Sequence, residues 1–274
     1  MSAPTTTGIE NPSPLSLGDH LPALAMKWKI ESALLESYYG ELQVSGDFLS
    51  SLNAAISPVR EFAGVQFRHV DELRVYRSLL YLFTRAFRPE VFVETGVLNG
   101  FSSAFILLAM HRNGTGTLYS IDLPPLEERI LDQGTNPLPV GRQPGWAIPS
   151  YLRSRHCLHL GDAKVLLPRI LDGLRRLDAF LHDSDHSYGH MMFELSLAWR
   201  YLRAGGWLLC DNVEQNDAFL DFTRGVGGHG FELASFDVPA RRWKHGLIQK
   251  ASDENAQSGT AHTELKSRPK PCGD

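Results

Sequence analysis

The chain has 274 residues, 43% of them apolar, 10% aromatic and 21% charged, so it can bury a sizeable core and is too apolar for wholesale disorder. Its 27 basic and 31 acidic residues give a formal net charge of −4. With no basic stripe, this balance argues against nucleic acid or an anionic membrane as partner. Cys157, Cys210 and Cys272 lack the close-paired spacing of a thiolate zinc site. The first residues lack a secretory signal's basic start and apolar run, and no stretch reaches the roughly 18 apolar residues of a membrane span. The expectation is a cytoplasmic protein that acts on small molecules.

In chain order, residues 1–20 are rich in Pro, Ser, Thr and Gly, and residues 251–274 have almost no apolar anchors. Both read as flexible tails, since neither offsets its ordering entropy by burial. Residues 21–60 read as a helical extension. There a helix over about 25–39 carries Met26, Ile30, Leu34 and Tyr38 at helical spacing, with Gly40 as its stop. A second copy of the chain is one cover for that apolar stripe. The next helix starts at Asp71, a candidate cap, carries Leu73, Tyr76, Leu80, Phe83 and Phe87 on one face, and ends before Pro89.

Short apolar runs then alternate with helical stretches: 91–96, a helix over 101–111, 117–122, 157–162, a helix over 164–175, 178–183, a helix over 187–203, 207–212 and 245–250. Nearly continuous apolar strands separated by helices predict an α/β fold, a doubly wound and mostly parallel sheet covered on both faces. Ligands in such sheets bind beyond the carboxyl ends of the strands, where strand order reverses.

The first strand end reads Glu94-Thr95-Gly96-Val97-Leu98-Asn99-Gly100-Phe101-Ser102-Ser103. Gly96 and Gly100 let the backbone bend and approach a ligand, and the following helix presents free N–H groups. A tight turn alone would need the same glycines. The three-glycine spacing of a dinucleotide fingerprint is missing, which demotes a nicotinamide cofactor. Asp122 ends the second strand, where an acid can accept from ribose hydroxyls or cap the next turn. Gly161, Asp162 and Ala163 end the third, where they leave room for a flat base, unless Asp162 simply caps the next helix.

The fourth end carries Asp183 and the fifth carries Asp211-Asn212. Neighbouring strands would bring these oxygen donors together in a set suited to Mg²⁺ or Mn²⁺. A strand-terminating turn at 211–212 is the structural alternative. His186, three residues beyond Asp183, has the type and place of a general base for a hydroxyl. His182 points to the other side of the strand, and His190 reads as a helix-surface residue.

Together these strings resemble class I S-adenosylmethionine-dependent methyltransferases over roughly residues 60–250, in particular the metal-dependent O-methyltransferases. The resemblance makes 61–250 a methyltransferase domain with a Rossmann-like sheet. It implies that Glu94, Gly96, Gly100 and Ser102 hold the methionine part of S-adenosylmethionine, Asp122 its ribose, and Gly161, Asp162 and Ala163 its adenine. It also implies that Asp183, Asp211 and Asn212 bind the metal. His186 falls where catechol and caffeoyl-CoA methyltransferases place a lysine, and a histidine there is similar to the macrolide-sugar type. Asn212 departs from that type, which has a second aspartate. The expected activity is O-methylation of a small-molecule hydroxyl. A metal-dependent hydrolase and a non-catalytic S-adenosylmethionine-binding protein are the competing readings. Residues 132–153, rich in Pro and Gly, are expected to cover the pocket, with Trp146 either stacking on a ligand or packing.

Overall fold

The computed structural model describes residues 17–124, 138–227, 231–234 and 244–252. Most of both proposed tails, and residues 132–137 of the expected cover, lie outside these. Strands β1 (Val91–Thr95), β2 (Thr117–Asp122), β3 (His156–Leu160), β4 (Leu177–His182) and β5 (Leu202–Cys210) pair in parallel. With β6 (Phe231–Ala234) and β7 (Lys244–Gln249) they form one seven-stranded sheet in the order β3-β2-β1-β4-β5-β7-β6. The run at 245–250 is thus a strand, but β7 lies antiparallel between β5 and β6. The chain order reverses between β1 and β4, so a ligand crevice is expected at their carboxyl ends.

Alternation along the strands divides the core. Phe92, Leu181 and Leu209 face a layer built from helices α1 to α5, whereas Val93, Phe180 and Leu208 face α6, α7 and α8. The expected helices after the strands are α5 (Phe101–Asn113), α6 (Ala163–Leu174) and α7 (Tyr188–Tyr201). Sequence reading did not anticipate β6 or the short α8 (Ala218–Gly225).

The single helix expected over 25–39 is two helices, α1 (Leu17–Trp28) and α2 (Ser32–Gln43). Lys29 adopts a positive φ and Glu31 is extended, so the chain turns and the helical phase resets. Met26 and Leu34, expected on the buried stripe, are therefore 76% and 40% exposed, while Leu24, Trp28, Leu35 and Leu42 are buried. Gly40 lies within α2 instead of ending it. Together with α3 (Gly46–Ile56), these helices pack on α4 (Val75–Phe87) and α5, with Trp28 edge-on to Phe83 and Phe48 edge-on to Phe105. The extension thus forms part of one core layer with α4 and α5. Asp71 caps no helix. It lies in a 3-10 turn, where its Oδ2 accepts from the Tyr39 hydroxyl and the Gln43 amide, and α4 begins four residues later.

Candidate active site

The glycine turn leaves β1 at Thr95 and reaches α5 at Phe101. Gly96 and Gly100 have φ values of 85° and 86°, a region costly for residues with a Cβ. A Cβ on Gly96 would lie 1.9 Å from the Asp183 carbonyl oxygen, and one on Gly100 would lie 2.7 Å from the Gly145 Cα. Close approach within the chain therefore demands both glycines, whatever binds above them. The first contact also places the end of β4 directly against the turn.

Gly145 and Ala147 donate their N–H groups to the Leu98 and Asn99 carbonyls at 2.8 and 3.0 Å. The described part of 132–153 thus braces the turn. Trp146 belongs to this brace: its indole N–H donates to Asn99 Oδ1 at 2.7 Å, and its ring packs edge-on against Phe62.

Three acids lie at the carboxyl ends of β1, β2 and β3. Glu94 is fully buried, and its Oε1 accepts from the Ser103 and Ser120 hydroxyls at 2.5 and 2.6 Å. Its Oε2 is buried with no hydrogen-bond partner. Burial pushes its pKa up to about 7, against the pull of the two serines. Asp122 accepts from the backbone N–H groups of Val97, Leu98 and Leu123 at 2.7–3.0 Å, which leaves unused lone-pair capacity on Oδ1. Burial nonetheless raises its pKa. Asp162 accepts from the Lys164 N–H at 2.8 Å and so caps α6. Gly161 is tied to Asp122 by a backbone bond, Ala163 opens α6 and Ser102 lies in the first turn of α5. These residues share the carboxyl rim of β1, β2 and β3.

On the other side of the turn, Asp183 follows β4 and Asp211 follows β5, joined by the bond from the Asp211 N–H to the His182 carbonyl. Asp183, His186 and Asp211 each present one ligand atom, all within 4.8 Å of one another. His186 Nε2 is 4.0 Å from Asp183 Oδ1 and has no hydrogen-bond partner. Burial and the Asp211 charge push the Asp183 carboxyl well above the usual range. Burial opposes ionisation of Asp211 too, but His245 outweighs it and holds that pKa low. Burial first, then His182, lowers the His186 pKa. At neutral pH its imidazole is therefore uncharged. Asn212 has a positive φ, and its side chain donates to Glu214 Oε1 at 3.3 Å. Two of the three predicted metal ligands are thus gathered with the predicted base, while Asn212 is engaged beside them.

Residues 93–213, from mid-β1 to the turn after β5, match the family described as a methyltransferase domain. By this match the segment reads as a methyltransferase domain. No curated protein matches the chain. Among solved structures, the chain is similar to the O-methyltransferase TomG from Streptomyces achromogenes, involved in tomaymycin synthesis and solved with SAM. Identity there is 16%, with 80% of this chain and 96% of TomG covered at a TM-score of 0.50. It is also similar to an O-methyltransferase from Bacillus cereus in complex with SAH (13% identity, 79% and 100% covered, TM-score 0.50). Cofactor-bound Rv0187 from MTB gives 15% identity, 89% and 100% coverage and the same TM-score. At these identities the likeness speaks to fold.

Residues beside the site were missed in the sequence. Glu194 on α7 is fully buried and accepts from Thr95 Oγ1 at 2.6 Å and Ser184 Oγ at 3.0 Å. Its oxygens also meet His182 Nδ1 at 2.5 Å and His190 Nε2 at 2.8 Å. Burial would raise its pKa, but these partners bring it down to about 2. His190, expected on the helix surface, is therefore buried because Glu194 needs it. The one available signal was an acid within the apolar string MMFELSLAW (191–199). Tyr76, read only as a core residue, stacks on His245 at 3.8 Å and 13°.

Proposed function

We propose that the methyltransferase is a divalent-metal-assisted O-methyltransferase for a small-molecule hydroxyl. The carrying observation is the gathering of Asp183, Asp211 and His186 at a strand end pressed against the glycine turn. When bound, S-adenosylmethionine supplies an electrophilic methyl group, and Mg²⁺ or Mn²⁺ lowers the pKa of an oxygen it binds. Asp183 and Asp211 would hold the cation, with Asn212 as the third proposed ligand. The chemistry of this donor set fits: hard carboxylate oxygens lie together, and burial together with the other's charge opposes ionisation of one of them.

On the donor side, the unpartnered Glu94 Oε2 fits an ammonium group such as that of the methionine moiety. Asp122 retains capacity for a ribose hydroxyl beyond its three backbone bonds. Gly96, Gly100 and Ser102 would line the methionine part, and Gly161, Asp162 and Ala163 the adenine. His186 Nε2 would take the acceptor's proton, a role that suits a neutral and unpartnered imidazole. TomG's part in tomaymycin synthesis makes natural-product hydroxyls the first acceptors to screen, beside sugars and phenols. Among the described residues no helix is long and apolar enough to cross a membrane, in keeping with a cytoplasmic site of action.

A second reading makes His186 a cation ligand, because one of its ring nitrogens lies within 4.8 Å of an oxygen of each carboxylate. Loss of Mn²⁺ affinity in His186→Ala would favour that role, and unchanged affinity with reduced turnover would favour the base. The function itself is tested by calorimetry with S-adenosylmethionine, followed by label transfer to an acceptor panel with and without chelator. Binding, transfer and loss of transfer on chelation are expected. Transfer that survives exhaustive chelation would remove the metal, and turnover without a methyl donor would point to a hydrolase.

A further inference from the structure

His245 lies outside the segment matched to the methyltransferase family, and its strand, HGLIQK (245–250), reads from sequence only as an apolar run. Antiparallel pairing gives it a place in the site. Leu209 opposes Leu247 and Cys210 opposes Gly246, so the next pair in register is Asp211 with His245. Opposed residues of an antiparallel pair project from the same face with Cβ atoms about 4.5–5.5 Å apart. Accordingly, His245 Nδ1 lies 2.6 Å from Asp211 Oδ1, an ion-pair distance, although not aligned as a linear hydrogen bond. The Asp211 Oδ1 also accepts from the Asn212 N–H at 2.9 Å. His245 Nδ1 and the Asn212 N–H thus both approach Oδ1, and the Asp183 carboxyl meets the same Asp211 side chain.

Packing fixes the imidazole itself. His245 is buried, and the Tyr76 ring from α4 covers its face at 3.8 Å, nearly parallel. The strand start is also tied to the turn that carries Asp211: the Val213 N–H donates to the Lys244 carbonyl at 3.1 Å, and the Lys244 N–H donates to Glu214 Oε2 at 2.7 Å. Orientation of a ligating carboxylate by an outer partner sets metal affinity nearly as strongly as the ligand does.

We propose that His245, clamped by Tyr76, is a positioning residue that turns Asp211 so that one carboxylate oxygen is held by the protein and the other is presented to a divalent cation. This rests on the metal reading above, and Mn²⁺ binding followed by electron paramagnetic resonance on the full chain tests it without any acceptor. Three variants separate position from packing. His245→Asn keeps a nitrogen donor near Nδ1, His245→Gln moves it outward by one atom, and His245→Phe keeps the stack without a donor.

Wild type should bind Mn²⁺, Asn should stay within about threefold of it, and Gln and Phe should each lose about 10- to 100-fold, the usual effect of removing such a partner. If Phe fails to fold, the Asn and Gln comparison still gives the result. Wild-type affinity in Phe, or equal affinities in Asn and Gln, would overturn the positioning role alone. Absence of Mn²⁺ binding to the wild type would overturn the metal reading and, with it, this one.

Discussion

Replacing Glu94 with glutamine tests whether its carboxylate is a built-in liability that a bound cationic group relieves. Burial raises its pKa from 4.5 to about 7 in the folded chain. Below pH 4.5 the carboxyl is neutral in both folded and unfolded states, and its contribution to stability is fully present. As pH rises toward 7 the unfolded chain ionises first, so that stability is progressively lost. At about 1.4 kcal/mol per pH unit, the loss amounts to about 3 kcal/mol, or roughly 6–10 °C in melting temperature for a domain of this size. Gln has no such ionisation and keeps an oxygen for Ser103 and Ser120, although its amide N–H groups would take the unpartnered position at a cost of about 1–3 kcal/mol. That cost offsets the two curves without changing their slopes. Urea unfolding of the ligand-free proteins should therefore show wild type losing about 3 kcal/mol relative to the variant between pH 4.5 and pH 8. Calorimetry should show weaker S-adenosylmethionine binding in the variant. Parallel pH profiles would refute the reasoning.

Turnover should fall by about 10²–10⁴ in His186→Ala, with S-adenosylmethionine affinity unchanged, if the imidazole accepts the hydroxyl proton; single-turnover methyl transfer reads this. Gly96→Ala drives a Cβ to within 1.9 Å of the Asp183 carbonyl oxygen and should cost more than about 3 kcal/mol in urea unfolding, since neither strand end can retreat. Glu194→Gln should destabilise by about 3–5 kcal/mol, because it leaves two buried imidazoles without their anion. The Glu194 pKa is depressed to about 2, so the wild-type advantage, measured by acid unfolding, should be present above pH 4.5 and fade as pH falls toward 2.

Six of the seven strands were legible in the sequence because each is a short apolar run ended by a polar or glycine residue, and the carboxyl ends of such strands are where this fold class places ligands. Glu94, Asp122, Asp183 and Asp211 were singled out on this basis, and each lies at or next to the carboxyl end of its strand. Helices followed a less reliable rule. The stripe at Met26, Ile30, Leu34 and Tyr38 is periodic in sequence, yet positive φ at Lys29 resets the phase between α1 and α2, a backbone event without a strong residue signature. His245 was beyond reach for another reason: its meeting with Asp211 depends on β7 running antiparallel to β5, and no local pattern gives strand direction. Asp162 shows the reverse case, where a simple helix cap accounts for what the structure displays.

Two equally buried acids differ in how far their hydrogen-bonding needs are met within the protein. Glu194 is as deeply buried as Glu94, but four protein partners surround its two oxygens and its charge is stabilised. It therefore serves as an internal anchor joining β1, β4 and α7. Glu94 satisfies one oxygen and leaves the other bare, His186 leaves Nε2 bare, and the Tyr76 hydroxyl is buried without a partner. Native interiors rarely tolerate such orphans, each worth about 1–3 kcal/mol. Glu94 is the penultimate residue of β1, His186 follows β4, and Tyr76 stacks on the histidine that contacts Asp211, so all three lie near the strand ends where chain order reverses. An acid, a neutral base and a phenol left unpaired there are the complement expected for a ligand with a cationic end and a hydroxyl. Glu194 is complete within the protein, whereas Glu94 retains a bare oxygen that a cationic ligand group would complete.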